Sequence, residues 1–326
     1  MSVAIQDRLQ KPAVVAAMLL LALIWGGTFA GTKYSLQAGV SVGALLAVRF
    51  AIGAAGLAAL MLLLKKPFDR RSVLDGLTLG LILTVIFWLQ VDGLRFTTTG
   101  KSGFITGLVV IFTPMVSLMF GERFRLSHAM GAMLAIVGLY FLVRDPTVPF
   151  GGWNRGDSET LVCAVLCGFH ITLTARYSRR SSAWVIAFVQ VALVALVSFP
   201  LAAVFPADPS GGQTMGGFDG LGAALVRLDV WLGMAYLALL ATTLAFYMQT
   251  ALQSRLTATE AAIIFTMEPV FAVLIAVSGI IPGIRESFTP AQVIGAALIV
   301  AAMLLAELGP KLAINTNLHS KNATWY

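Results

Sequence analysis

Charge is scarce in this chain. Asp, Glu, Lys and Arg make up 11% of the residues, and 58% are hydrophobic. A soluble domain carries about a quarter charged residues, so a soluble enzyme or binding module is excluded and a polytopic membrane protein remains. Cysteine occurs twice, as Cys163 and Cys167 in one apolar run, which excludes a disulfide framework. Cys163-x3-Cys167-x2-His170 supplies three metal-type ligands and lacks a fourth, so no metal is expected. A nucleotide-binding motif is also missing. Gly100-Lys101-Ser102 imitates the end of a phosphate loop, but Arg95 stands where that loop needs its first glycine. No cofactor is expected, and ATP is excluded as the energy source. The net charge of +7 does not imply nucleic acid, because the basic residues lie between apolar runs and anchor loops at the surface of a lipid bilayer.

Each bilayer crossing needs about 20 mainly apolar residues. Ten such runs are present, at 13–34, 43–64, 73–93, 99–120, 126–144, 159–178, 183–204, 230–251, 258–280 and 289–308. Arg8 and Lys11 precede the first run as in a signal peptide, but the run is too long and has no cleavage site, so it reads as helix one. The loop 205–229 is long and rich in Pro and Gly, and the tail from Pro310 is polar. Loops on the side of the N-terminus hold 14 Lys and Arg and those on the other side hold 7, with Arg49 inside helix two. That bias predicts both termini inside.

Part of the chain occurs twice. Gln90 to Thr98 and Gln249 to Thr257 are each eight residues, and Glu122 to Gly131 and Glu286 to Gly295 are each nine. Between Thr and Pro the first copy, ending at Thr113-Pro114, is four residues longer than the second, ending at Glu268-Pro269. That excess is about one helical turn. Ala47–Ala51 lies over Phe188–Ala192, and Trp25-Gly26 over Cys167-Gly168. The expected fold is an all-α membrane protein of ten transmembrane helices built as two inverted five-helix repeats. The first repeat is 13–144 and the second 159–308, with a 1–12 N-terminus, a 145–158 linker and a 309–326 tail. Duplicated, Pro-interrupted helices point to a transporter binding site between the repeats.

Polar residues inside a membrane are expensive and mark pathways. Helix six carries Cys163, Cys167, His170, Thr174 and Tyr177 on one face; helix one carries Trp25, Thr28, Thr32 and Ser35. Helix three carries Thr84, Trp88 and Asp92, helix four Ser102, Thr106 and Thr113, and helix eight Tyr236, Thr243, Tyr247 and Thr250. These five helices, joined by helix nine, are expected to surround a cavity, with helices five and ten outside it. Trp25, Thr28, Thr84, Trp88, Thr106, His170, Thr174, Thr243 and Tyr247 are the expected substrate-binding residues; interhelical hydrogen bonding is the competing use of each hydroxyl. Glu268 lies near the midplane and is the coupling candidate, able to carry a proton. Arg49 either meets a helix end or a substrate carboxylate, or snorkels to the surface, the use the sequence favours. Asp92 is expected at the interface. Pro114 and Pro269 are expected hinges.

Ile24-Trp25-Gly26, Arg49-Phe50, Ser102-Gly103-Phe104-Ile105-Thr106-Gly107, Glu122 and Glu268-Pro269-Val270-Phe271-Ala272 together give the chain its likeness. It resembles the ten-helix carriers of the drug/metabolite transporter superfamily, EamA type, over nearly its whole length. The segment from Ser278 to Glu286, lengthened by Pro282 and Gly283, departs from that pattern. Within the family it looks like the bacterial amino-acid exporters. The resemblance implies a monomeric secondary transporter of the bacterial cytoplasmic membrane, exporting amino acids, aromatic or other neutral ones, or similar small metabolites by alternating access. Drugs or nucleotide sugars are alternative substrates. A remote alternative is an intramembrane serine protease, since Gly100-Lys101-Ser102-Gly103 has the Gly-x-Ser-Gly form and His170 or His128 offers a base.

Overall fold

The computed structural model describes residues 3–97, 99–122, 126–143, 153–205, 215–278 and 289–305, and all regular structure among them is helical. The tail, Thr98 and the segment before Thr289 lie outside the described residues, with most of the 145–158 linker and much of the loop after helix seven. Ten apolar helices follow one another. They are α1 (Lys11–Gln37), α2 (Val42–Leu63), α3 (Arg70–Phe96), α4 (Ser102–Met119), α5 (Leu126–Phe141), α6 (Arg155–Tyr177), α7 (Ala183–Val204), α8 (Leu228–Gln253), α9 (Ala258–Ile275) and α10 (Pro290–Leu305). Eight are long and apolar enough to cross a bilayer, while α5 and α10 are shorter. Loop 205–229 contains the short helix Asp219–Leu225.

Local chemistry sets the ends. Side chains of Ser41, Asp69, Asn154 and Thr257 accept from backbone N–H groups in the first turns of α2, α3, α6 and α9. Asn154 with Asp157, and Thr257 with Glu260, complete capping boxes. Gly39 and Gly121, at φ +92° and +82°, stop α1 and α4, where the following N–H groups fold back on the last turn.

Ion pairs gather in two belts at opposite ends. At the N-terminal end Lys11 meets Glu260 at 2.9 Å, and Arg180 holds Asp75 through two bonds of 3.0 and 2.6 Å. Nearby, Arg179 donates to the Ser254 and Leu256 carbonyls, and Arg176 to that of Phe120. There burial pushes the Glu122 carboxyl up, against the pull of Arg179. At the other end Asp92 bridges Arg95 and Arg155 at 2.5 and 2.6 Å, Thr97 donates to Asp157, and Arg227 meets Asp229. Asp92 thus sits near a helix end as expected, but it is buried beneath two guanidiniums rather than facing the interface.

The halves interdigitate. α2 packs on α7, α3 on α6 and α7, α4 on α6 and α9, α1 on α9, and α8 on α1 and α2. Replacing each helix by the one five places away maps this set of pairs onto itself. Glycines allow the close approaches, as small residues do where helices meet in lipid. A Cβ on Gly26 of α1 would meet Phe271 Cβ at 2.8 Å and the Glu268 carbonyl at 2.9 Å, both on α9. Its counterpart Gly168 of α6 lies equally against α4, with Phe112 and Thr113 at 3.1 Å. Gly138 of α5 packs on Gly295 and Ile299 of α10.

Three helices break in mid-course: α1 at Gly27, α4 at Leu108 and α9 at Thr266. The Pro269 ring excludes the Phe265 carbonyl from its usual bond, which accounts for the α9 break. Pro114 acts on the Val110 carbonyl, so the α4 break lies upstream of it, next to Gly107. α8 winds as a π-helix over Tyr236–Leu244, a feature concentrated at functional sites and not foreseen from the sequence.

Candidate functional site: a cavity at the helix breaks

A cavity of about 100 Å³ lies where the three breaks meet. Each broken helix presents a pair of residues three apart, one on either side of its break: Trp25 and Thr28, Thr106 and Val109, Phe265 and Glu268. α6 adds Cys167, His170 and Ile171, α3 adds Leu83, Ile86, Phe87 and Gln90, α8 adds Phe246 and Gln249, and α2 adds Arg49. Helices α5, α7 and α10 contribute none of the lining. Irregular backbone at membrane depth is tolerated only where it is buried in protein or lines a cavity, and both conditions hold here. Hydroxyls bond carbonyls beside two of the breaks, those of α1 and α9. Thr28 Oγ1 donates to Trp25 O at 2.7 Å, Thr266 Oγ1 to Ile263 O at 2.6 Å, and Tyr236 Oη to Ile24 O. Trp25 Nε1 in turn donates to Ala241 O of the π-helix at 3.1 Å, so two bonds tie α1 to α8 just before Gly27.

The two halves supply the wall from matching positions. Trp25 and Thr28 correspond to Cys167 and His170, Phe87 and Gln90 to Phe246 and Gln249, and Arg49 to Gln190. Counted from Thr98 and Thr257, Thr106 and Val109 correspond to Phe265 and Glu268. The four extra residues of α4 lie between Val109 and Thr113, so Thr113-Pro114 sits a turn beyond the cavity. Thr113 is fully buried and its hydroxyl has no hydrogen-bond partner among the described residues.

Of the expected binding residues, Trp25, Thr28, Thr106 and His170 line the cavity together with Glu268. The Thr106 hydroxyl and Gln249 Oε1 have no hydrogen-bond partner among the described residues. His170 Nε2 and Gln190 Oε1 are 2.9 Å apart. The other expected residues face elsewhere. Thr84 returns its hydroxyl to Gly80 O, and Thr243 bonds Gly53 O and Ala238 O. Trp88 donates to Ser198 of α7, and Tyr247 stacks at 3.8 Å on Trp184 of the same helix. Thr174 is buried away from the cavity. Hydroxyls on α3 and α8 thus find carbonyls within a turn or on the next helix, and the amphipathic rings find partners on α7. The faces left to the cavity carry Phe87, Gln90, Phe246 and Gln249. Sequence reasoning missed these four, yet the signal was present: Phe-x2-Gln recurs at 87–90 and 246–249.

Arg49 does not snorkel. It is 2% exposed, donates from Nε to Thr242 Oγ1 at 3.0 Å, and lies 5.3 and 5.0 Å from the centres of the Phe50 and Phe87 rings. Seven residues into α2, it is about 10 Å from the helix start and enclosed by α3 and α8, so its stem has no path to the surface. Ser102 Oγ is buried with no partner among the described residues, and His170 is engaged with Gln190, so this pair forms no protease dyad.

A ten-helix bundle with a central cavity framed by broken helices defines a membrane carrier rather than a receptor or an anchor. More specifically, the chain belongs to the EamA-like transporter family, which matches residues 12–144 and again 154–308. A relative from Archaeoglobus fulgidus, named an uncharacterized transporter, is 33% identical over 292 residues, covering 89% of this chain and 84% of its own length. A solved crystal structure superposes with a TM-score of 0.71 at 20% identity, over 91% of this chain and 97% of the other, and so shares the fold.

Proposed function

We propose that this transporter is a secondary carrier that exports amino acids, aromatic or other neutral ones, or similar small metabolites by alternating access. It works as a monomer in a bacterial cytoplasmic membrane with both termini cytoplasmic. The observation that carries the reading is the cavity at three helix breaks, lined by matching positions of two halves whose first helices start at opposite ends of the bundle. Such halves, taken as inverted repeats, offer two gates of similar build. Aromatic and aliphatic walls bind an apolar side chain by burying its area, while a few polar groups orient the ligand. Glu268 serves as the coupling group, and α4 and α9 swing about the breaks near Pro114 and Pro269.

Purified protein in liposomes, screened for uptake of amino acids, drugs and nucleotide sugars with and without a pH gradient, tests the reading. Saturable amino-acid uptake supports it. Uptake confined to drugs or nucleotide sugars moves the substrate to another branch of the family. For orientation, reporter fusions after Lys66 and Arg180 are expected to read cytoplasmic and fusions near Gly217 periplasmic; a cytoplasmic signal at Gly217 breaks the inverted arrangement.

A further inference from the structure

We infer that Arg49 is the anchor for a carboxylate group of the substrate. The inference rests on the carrier reading above and narrows its substrate class. Among the described lining residues Arg49 is the one cation and Glu268 the one carboxylate, and neither forms an ion pair. An isolated charge in a low-dielectric interior is costly unless something pairs with it. The protein nevertheless holds this guanidinium rigidly. Its Nε is tied to Thr242, its side chain lies beside the Phe50 and Phe87 rings, and those rings pack edge to face at 4.6 Å. Behind it, a Cβ on Gly53 would meet Thr242 Cγ2 at 2.6 Å, so α2 lies tightly on the π-helix and the stem cannot retreat.

That arrangement uses one of five N–H donors. The two terminal nitrogens have no protein acceptor among the described residues, and the side chain borders the cavity. A planar fork with both outer nitrogens free matches a carboxylate, which it binds through two parallel bonds. At the matching position the other half packs without a cation. There Gln190 is fully buried and occupied by His170 and Thr250. Only the first half places an unsatisfied donor set beside the cavity at this position.

The test compares L-phenylalanine, L-phenylalaninamide and 3-phenylpropionate as ligands of the full-length purified protein. Thermal stabilisation in detergent and competition in liposome uptake are the two readouts. Both carboxylates are expected to act at concentrations at least tenfold lower than the amide. Arg49→Gln should bring that ratio close to one while the amide still binds, and Arg49→Lys should retain part of it. Wild-type protein that treats acid and amide alike overturns the anchor, and that measurement stands even if the variants fail to fold. A uniform loss for all three compounds in a folded Arg49→Gln also overturns it, leaving Arg49 a packing role. Phenylpropionate recognised without any amino acid keeps the anchor and removes the amino-acid reading. Amino acids taken as readily as their amides do the reverse, and recognition of no carboxylate removes both.

Discussion

The halves of the bundle are alike in shape and unlike in charge. α3 and α8 present the same Phe-x2-Gln face, and α1 and α6 line the cavity from the same two positions. α4 and α9 both break beside it, yet α4 offers Thr106 and Val109 where α9 offers Phe265 and Glu268. Arg49 likewise has Gln190 as its counterpart, a residue that bonds His170 and Thr250. The halves share break positions and an aromatic wall, and they differ in supplying one cation and one carboxylate, each from a different half. On the proposed function, the symmetric wall would meet a ligand from either side of the membrane and the single charges would orient it.

The comparison breaks most sharply at Glu268. Glu268→Gln keeps shape and hydrogen bonding but cannot release a proton. We expect the variant to lose its whole response to a pH gradient while still exchanging substrate, whereas Thr113→Val in α4 should leave both within about twofold. An unchanged pH response in Glu268→Gln would remove its coupling role.

The matched glycines come next. Gly26→Ala pushes a methyl onto α9 backbone at 2.9 Å, and Gly168→Ala meets α4 at 3.1 Å. Overpacking of this kind costs about 1–3 kcal/mol, so thermal melting should fall in both variants and further in Gly26→Ala. Equal or absent shifts would mean that α1 can slide along α9.

For the wall, Phe87→Ala and Phe246→Ala should each weaken binding of an aromatic substrate about tenfold. Trp88→Phe and Tyr247→Phe should change it less than threefold. The reverse ranking in uptake competition would restore the amphipathic rings to the cavity.

The smallest effect concerns the prolines. Cys167 lines the cavity and Cys163, the other cysteine, is fully buried, so thiol labelling reports on access. Pro269→Ala returns an N–H that can reach the Phe265 carbonyl across the break, and Pro114→Ala returns one a turn away from its break. We expect the two to shift labelling of Cys167 in opposite senses, by a few-fold for Pro269→Ala and less for Pro114→Ala. Labelling equal to wild type in both would make the breaks fixed kinks.

The sequence by itself determined the membrane character and the ten apolar runs, because lipid demands a continuous apolar length and tolerates few charges. It also indicated six of the seven helices that line the cavity, since polar residues avoid α5 and α10, but it did not place α2 among them. The rotation of α3 and α8 was decided only by packing. Thr84, Trp88, Thr243 and Tyr247 look like pathway residues in a linear reading, but each found a carbonyl, hydroxyl or ring on its own helix or a neighbour. That left Phe87 and Phe246, which have no polar atom to satisfy, to face the cavity beside Gln90 and Gln249. The π-helix of α8 has no mark in the local sequence. Burial of Arg49 was also tertiary: a long cationic side chain seven residues into a helix can reach water unless its neighbours close the path, and Thr242, Phe50 and Phe87 close it. The breaks required both levels. Pro269 marks one in the sequence, but α1 breaks beside Gly27 and α4 beside Gly107, each beside a glycine backed by a tight neighbour, and the proximity of those neighbours exists only in the folded bundle.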